Sequence, residues 1–162
     1  MCMSDFVKGQ QVIHCRDGLA VILDDTLISG TEYFVVKAIR GGGEKIYVPI
    51  ERASLIIRPL MNVDEADKLL EYIKSIEFEF NSNTKQRRDG LKRRLMSGDV
   101  KDVSYLFKQL YFYKISNGEC AKLGPVDLEM LEYASSNLLD EFSITYNKPR
   151  EEIEAYVYQR IK

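Results

Sequence analysis

The sequence predicts an α+β protein: a small antiparallel β-barrel over residues 1–60, followed by an all-α bundle of about five helices over 61–162. Three observations carry this reading. Apolar residues in the first part fall in short β-branched or aromatic runs separated by glycine-containing turns. Near residue 60 the apolar spacing changes to that of helices. Beyond that point the segments start and stop at residues suited to capping.

The runs of the first part are "QVIHC", "LAVILDD", "EYFVVKAI", "KIYVPI" and "ASLIIRPL". "RDG", "ISG" and "GGG" divide them with residues that accept the positive φ of tight turns. Five strands in about 55 residues, with no helical spacing between them, predict a strongly bent antiparallel barrel. Pro49 has no N–H to give to a ladder, so its strand ends there or lies at an edge.

The helical part opens on "NVDE", a capping box with Asn62 as N-cap and Glu65 at the third helical position. Ala66, Leu69, Leu70, Ile73 and Ile76 form its apolar stripe. A second helix is predicted from about Thr84 to Met96, stopped by Gly98. Asp99 caps a third, with Val103, Leu106, Phe107 and Leu110 facing inward. After "SNGECAKLG", Pro125 takes the first position of a fourth, with Leu128, Leu131, Ala134, Leu138 and Phe142 as its stripe. Pro149 opens a fifth, where Glu151 and Glu152 favour the helix dipole and Ile153, Tyr156 and Val157 supply the apolar side.

With 45% hydrophobic and 30% charged residues, the 162-residue chain has the make-up of a soluble globular protein. A net charge of −2 excludes a uniformly basic nucleic-acid coat but leaves room for a local patch. Residues 1–60 carry seven bases and seven acids, and residues 61–162 carry sixteen and eighteen. Cys2, Cys15 and Cys120 are dispersed and odd in number, which argues against a disulfide framework. A single His14 leaves no zinc quartet to assemble. The start "MCMSDFVKGQQ" lacks the charge and apolar run of a signal peptide, and no stretch approaches the length of a membrane span. A cytoplasmic protein without metal or cofactor is expected.

Each candidate for chemistry has a plainer explanation. "GGGEK" precedes a strand instead of opening a helix and lacks the lysine–hydroxyl pair of a phosphate loop, so it reads as a hairpin turn. His14 and Cys15 are neighbours on a strand and point to opposite faces. Asp24–Asp25 and Glu151–Glu152 sit at a turn and a helix start without further ligands at metal spacing. "YLFKQLYFYK" reads as core at helical spacing, and its spread of aromatics suggests cover on more than one side, as from a neighbouring domain. No set of nucleophile, base and oxyanion donors is found, so no enzyme and no small-molecule substrate are expected.

The remaining feature is "KQRRDGLKRR", with Lys85, Arg87, Arg88, Lys92, Arg93 and Arg94 in ten positions. On a helix, Leu91 and Leu95 mark the buried side. Lys85, Arg88 and Lys92 line one flank, Arg87 and Arg94 the other, and Arg93 points away. Six cations so arranged cannot meet one duplex together. Two to four phosphate contacts is the geometric limit, too few to hold the protein on DNA unaided.

"FVKGQQVIHCRDGLAVI", "GTEYFVVK", "KIYVPIERA" and "NTKQRRDGLKRRLMSGDVKDVSYLFKQL", in this order and spacing, resemble the CarD/CdnL family of bacterial transcription regulators. The "SGDV" after the arginines and the "VP" after the glycine-punctuated strands are the most specific parts. The resemblance implies a Tudor-like (SH3-like) barrel similar to the polymerase-interacting domain of transcription-repair coupling factor. It implies docking of that barrel on the RNA polymerase β subunit by strand pairing, around Lys45, Tyr47 and a turn at Leu27–Ile28. The helical domain would then touch promoter DNA at the upstream edge of the bubble, weakly and through phosphates, with nucleoid association through polymerase. Two departures stand out. Lys85 occupies the position where many relatives carry a tryptophan wedge, and the chain has no tryptophan. Tyr47 occupies the position where some relatives carry arginine. A protein adaptor without DNA contact is the competing expectation.

Overall fold

The computed structural model describes residues 6–40, 42–117 and 123–162; Cys2, Cys120, Gly41 and most of the "SNGECAKLG" loop lie outside the described residues. The chain divides into two compact units, Met1–Leu60 and Met61–Lys162.

The first unit is a five-stranded antiparallel sheet built from β1 (Gln11–His14), β2 (Gly18–Ile28), β3 (Thr31–Ala38), β4 (Lys45–Pro49) and β5 (Ile57–Pro59). Its order is β4-β3-β2-β1-β5, which makes β4 and β5 the edges. Pro49 ends the edge strand β4, where a missing N–H costs the ladder nothing. The β2–β3 hairpin pairs Ile28 with Thr31 around Ser29 (φ 50°) and Gly30 (φ 82°), a turn with both central residues left-handed, as strand twist favours. Leu27 and Ile28 are thus strand residues, and the turn expected at 27–28 falls at 29–30. The "GGG" segment joins the antiparallel pair β3 and β4, as a hairpin connection should.

The segment "ASLIIRPL" corrects the expectation of one continuous strand. Ile50–Arg52 is a 3-10 turn, Ala53–Ile56 is a single-turn helix (α1), and only Ile57–Pro59 joins the sheet. This turn of helix lets the chain cross from the β4 edge to the β5 edge, bending the sheet over its core. That core is Val12, Ala20, Ile22, Phe34, Val36, Val48, Ala53 and Ile57. Alternate residues of each strand supply it, at the period a half-buried sheet demands.

The second unit holds α2 (Val63–Ser75), α3 (Thr84–Ser97), α4 (Val100–Asn117), α5 (Pro125–Thr145) and α6 (Arg150–Ile161). The caps are those the sequence implies. Asn62 and Glu65 complete a reciprocal capping box at α2, and Pro125 stands in the first turn of α5. Gly98 ends α3 at φ 71°, where a side chain would be strained. Asp99 accepts from the Lys101 N–H to start α4. Leu128 is the exception among the apolar stripes: it is exposed, and Asp127 and Met130 are buried in its stead. No helix of the described residues is long and apolar enough to cross a membrane.

Helix α4 is buried on nearly every side, Ser104, Lys108 and Gln109 included. The cover expected from a neighbouring domain comes from within the unit, from α2, α3 and α5. Gln109 donates to the Glu77 carbonyl and accepts from the Glu79 N–H, both at 2.7 Å, so it fixes the connection between α2 and α3. The Lys108 ammonium donates to the Ile73 and Lys74 carbonyls at the end of α2 and to the Ile161 carbonyl at the end of α6. These carbonyls lie in the last turns of the two helices, where the Ile73 carbonyl also accepts the Ile76 N–H, and the negative ends of two helix dipoles meet one cation.

Candidate nucleic-acid interface and docking face

Helix α3 carries the basic run. Asn83 caps it by accepting from the Gln86 N–H, and Leu91 anchors its buried side. The six cations divide into two groups of different character.

Arg87, Arg88 and Arg94 are each paired with an acid of the unit, Arg87 nearly buried and the other two more than a third exposed. Arg87 donates to Asp127 Oδ2 at 2.7 Å and to the Asn81 carbonyl at 3.0 Å, with its guanidinium 4.5 Å over the Phe80 ring. Asp127 is fully buried and the Arg87 side chain is only 10% exposed. Arg88 approaches the same carboxylate oxygen at 3.7 Å. A side chain at Gly124 would collide with the Arg88 guanidinium, so glycine there admits it. Arg94 pairs with Asp102 at 2.9 Å and lies 3.7 Å over the Tyr105 ring. Asp127 also sits in the first turn of α5, where the dipole favours an acid. The two arginines that look most like a phosphate grip in sequence therefore join α3 to α5.

Lys85, Lys92 and Arg93 are exposed, and no acid among the described residues pairs with them. At 100° per residue, Lys85 and Lys92 lie within about 20° of one another on the outer side of α3, with Arg93 about 80° to one side of Lys85. Three unpaired cations on one exposed helix face attract phosphates without reading sequence.

In the first unit the strand register settles which predicted docking residues share a face. Asp24 pairs with Val35, and Val35 with Tyr47. Counting by twos along each strand puts Ile28, Lys45 and Tyr47 on this outer face. Ile28, Lys45 and Tyr47 line one shallow depression of about 390 Å³ there, together with Asp24 and Val35. The Tyr47 ring meets Tyr33 edge-on at 6.4 Å. Leu27 points to the opposite face, where it is 66% exposed.

His14 and Cys15 part as strand geometry requires. His14 is buried, its Nδ1 accepting the Arg16 and Asp17 N–H groups at 3.2 Å each, whereas Cys15 is exposed. Burial is the main cause of a lowered His14 pKa; Asp17 opposes it and Arg16 adds to it.

The family model of the CarD C-terminal domain matches residues 68–158. The chain belongs to the CarD family. The match covers α3, α4 and α5 entire, including Asp127 and every cation of the basic run. Membership makes this a transcription-related protein of a family that works with RNA polymerase. A comparison with curated proteins returns no match. Asp127 is the residue of this candidate site that the sequence alone does not single out. Its only signal was an acid in the first turn of α5, which also has an ordinary explanation as a dipole partner.

Proposed function

We propose that the protein is a non-enzymatic regulator of transcription initiation that docks on the polymerase β subunit through its sheet. In this reading it contacts promoter DNA near the upstream edge of the bubble through α3. The observation that carries the DNA contact is the division of the basic run, which leaves Lys85, Lys92 and Arg93 exposed and without an acid partner among the described residues while three arginines are paired with Asp127 and Asp102. Three phosphate contacts give weak affinity for free duplex. Tethering to polymerase supplies the effective concentration that the contacts lack. The edge strand β4 favours docking by strand addition, with Lys45 and Tyr47 outward beside it. The reading places the protein in the cytoplasm, at the nucleoid through polymerase.

Open-complex lifetime on a promoter, with polymerase present, tests this reading. Reversing Lys85, Lys92 and Arg93 to Glu is expected to abolish the protein's effect on lifetime while β-subunit pull-down persists. Lys85→Trp is expected to strengthen the effect, since an indole fills an unstacked step as lysine cannot. An unchanged effect in the folded triple variant would favour the adaptor reading, with no DNA contact. Absence of β-subunit capture would remove the reading altogether.

A further inference from the structure

The connection between α2 and α3 reads "IEFEF" over residues 76–80, acids and apolar residues alternating at the period of a strand. Its course is extended from Ile76 (φ −68°, ψ 124°). The Gln109 amide donates to the Glu77 carbonyl and accepts from the Glu79 N–H. Those two groups, two residues apart, are the pair that one residue of a parallel neighbouring strand would engage. Gln109 therefore stands in for a strand along one edge of the segment. Phe80 fixes the far end, its ring covered by Tyr113 at 3.8 Å and by the Arg87 guanidinium at 4.5 Å.

The opposite edge is open. In a segment held this way the N–H and C=O of Phe78 point away from Gln109. They make no hydrogen bond among the described residues. Phe78 is 43% exposed although its ring meets Phe112 at 6.4 Å, and Ile115, one turn further along α4, is 41% exposed. By alternation Glu77 and Glu79 lie on the other side of the segment, exposed and without an ion pair among the described residues. A fixed extended segment with one bonded edge, one open edge and an exposed ring meets the requirements of strand addition.

We propose that Glu77–Phe80 is a docking edge for an extended segment of a protein partner in which Lys or Arg alternates with apolar residues. The cations would lie beside Glu77 and Glu79, and the apolar side chains would rest on Phe78 and Ile115. A second copy of the chain is a poor occupant. Antiparallel self-pairing about Phe78 sets Glu77 of one copy against Glu79 of the other, and like charges so placed oppose pairing. The same acids repel the phosphates of a nucleic acid. The inference is independent of the α3 contact with DNA and survives its failure.

The test titrates the full chain with a terminally blocked peptide of alternating Lys and Val. A peptide of the same length and composition, with all Lys before all Val, carries equal charge without the alternation. Binding is read by anisotropy and amide hydrogen exchange by NMR. The alternating peptide is expected to bind about tenfold more tightly than the block peptide. The Phe78 amide is expected to exchange about tenfold more slowly at saturation, while the Glu79 amide, already bonded to Gln109, changes little. This measurement requires no variant to fold. Phe78→Pro removes the donor and the ring and is expected to lose the preference. Glu77→Lys with Glu79→Lys, on the exposed side, is expected to transfer it to a peptide of alternating Glu and Val. Equal binding of the two Lys peptides, or an unprotected Phe78 amide at saturation, overturns the proposal. Protection of that amide rising with protein concentration, without peptide, would assign the edge to a second copy and refute the partner proposed.

Discussion

Asp127→Asn keeps the shape of the side chain and removes its charge. In the wild type one carboxylate oxygen takes Arg87 at 2.7 Å and Arg88 at 3.7 Å, at a site from which water is excluded. Arg88 is 35% exposed and can turn to solvent, but Arg87 at 10% cannot without moving Phe80 and the Asn81 carbonyl. Stripping one partner from a buried pair costs about 3–5 kcal/mol. The exposure of Arg88 favours the lower end, about 3 kcal/mol. For a unit spanning Met61–Lys162, that corresponds to a loss of roughly 12–24 °C in Tm. Circular dichroism weighted to the helical signal, in both thermal and urea melts, would measure it. The pair Arg87→Met with Asp127→Leu should recover much of the loss, giving a coupling of about 2 kcal/mol or more in the double-mutant cycle. A shift of only a few degrees in Asp127→Asn, or a double variant as unstable as the sum of the singles, would refute the idea that this pair joins α3 to α5.

Two further outcomes concern buried titratable groups. The folded-state pKa of His14 lies below the ordinary value of 6.5, so the unfolded chain binds its proton first as pH falls. The contribution of His14 to the stability of the first unit is then present above about pH 6.5 and lost as pH drops through the folded value. The denaturant midpoint between about pH 5 and 8 should fall on the acid side, and His14→Gln should flatten the profile. Lys108→Met keeps the stem of the side chain and deletes its bonds to Ile73, Lys74 and Ile161. A loss of about 2–3 kcal/mol is expected, with amide exchange accelerated first in the last turns of α2 and α6. Equal protection at both helix ends in the variant would show that the ammonium does not hold them.

What could be read from the chain alone was local. The capping box at Asn62, the stop at Gly98 and the proline opening α5 depend on residues three or four apart, and all stand where expected. The single turn Ala53–Ile56 was not legible, because four residues carry no period and β-rich neighbours on both sides suggest strand. Leu128 fits the helical stripe by spacing. Its exposure follows from Asp127, which the arginines draw into the interior at the start of the same helix. The helical wheel set Arg87 and Arg88 on opposite flanks of α3, but it could not show that both would reach one acid, Asp127, on another helix. Nor could spacing reveal which of Leu27 and Ile28 shares the face of Tyr47, since that depends on where the β2 irregularity between Ile22 and Asp24 resets the register.

The internal employment of Arg87, Arg88 and Arg94 bears on how the protein would experience a change in its ionic surroundings. If all six cations met phosphates, a slope of about −0.9 per contact means that a threefold rise in salt would weaken binding nearly 400-fold. With Lys85, Lys92 and Arg93 alone, the same rise costs roughly 20-fold. Half the charge of the helix is spent on architecture. A regulator so built would hold its place through osmotic swings that would strip a fully basic helix from DNA.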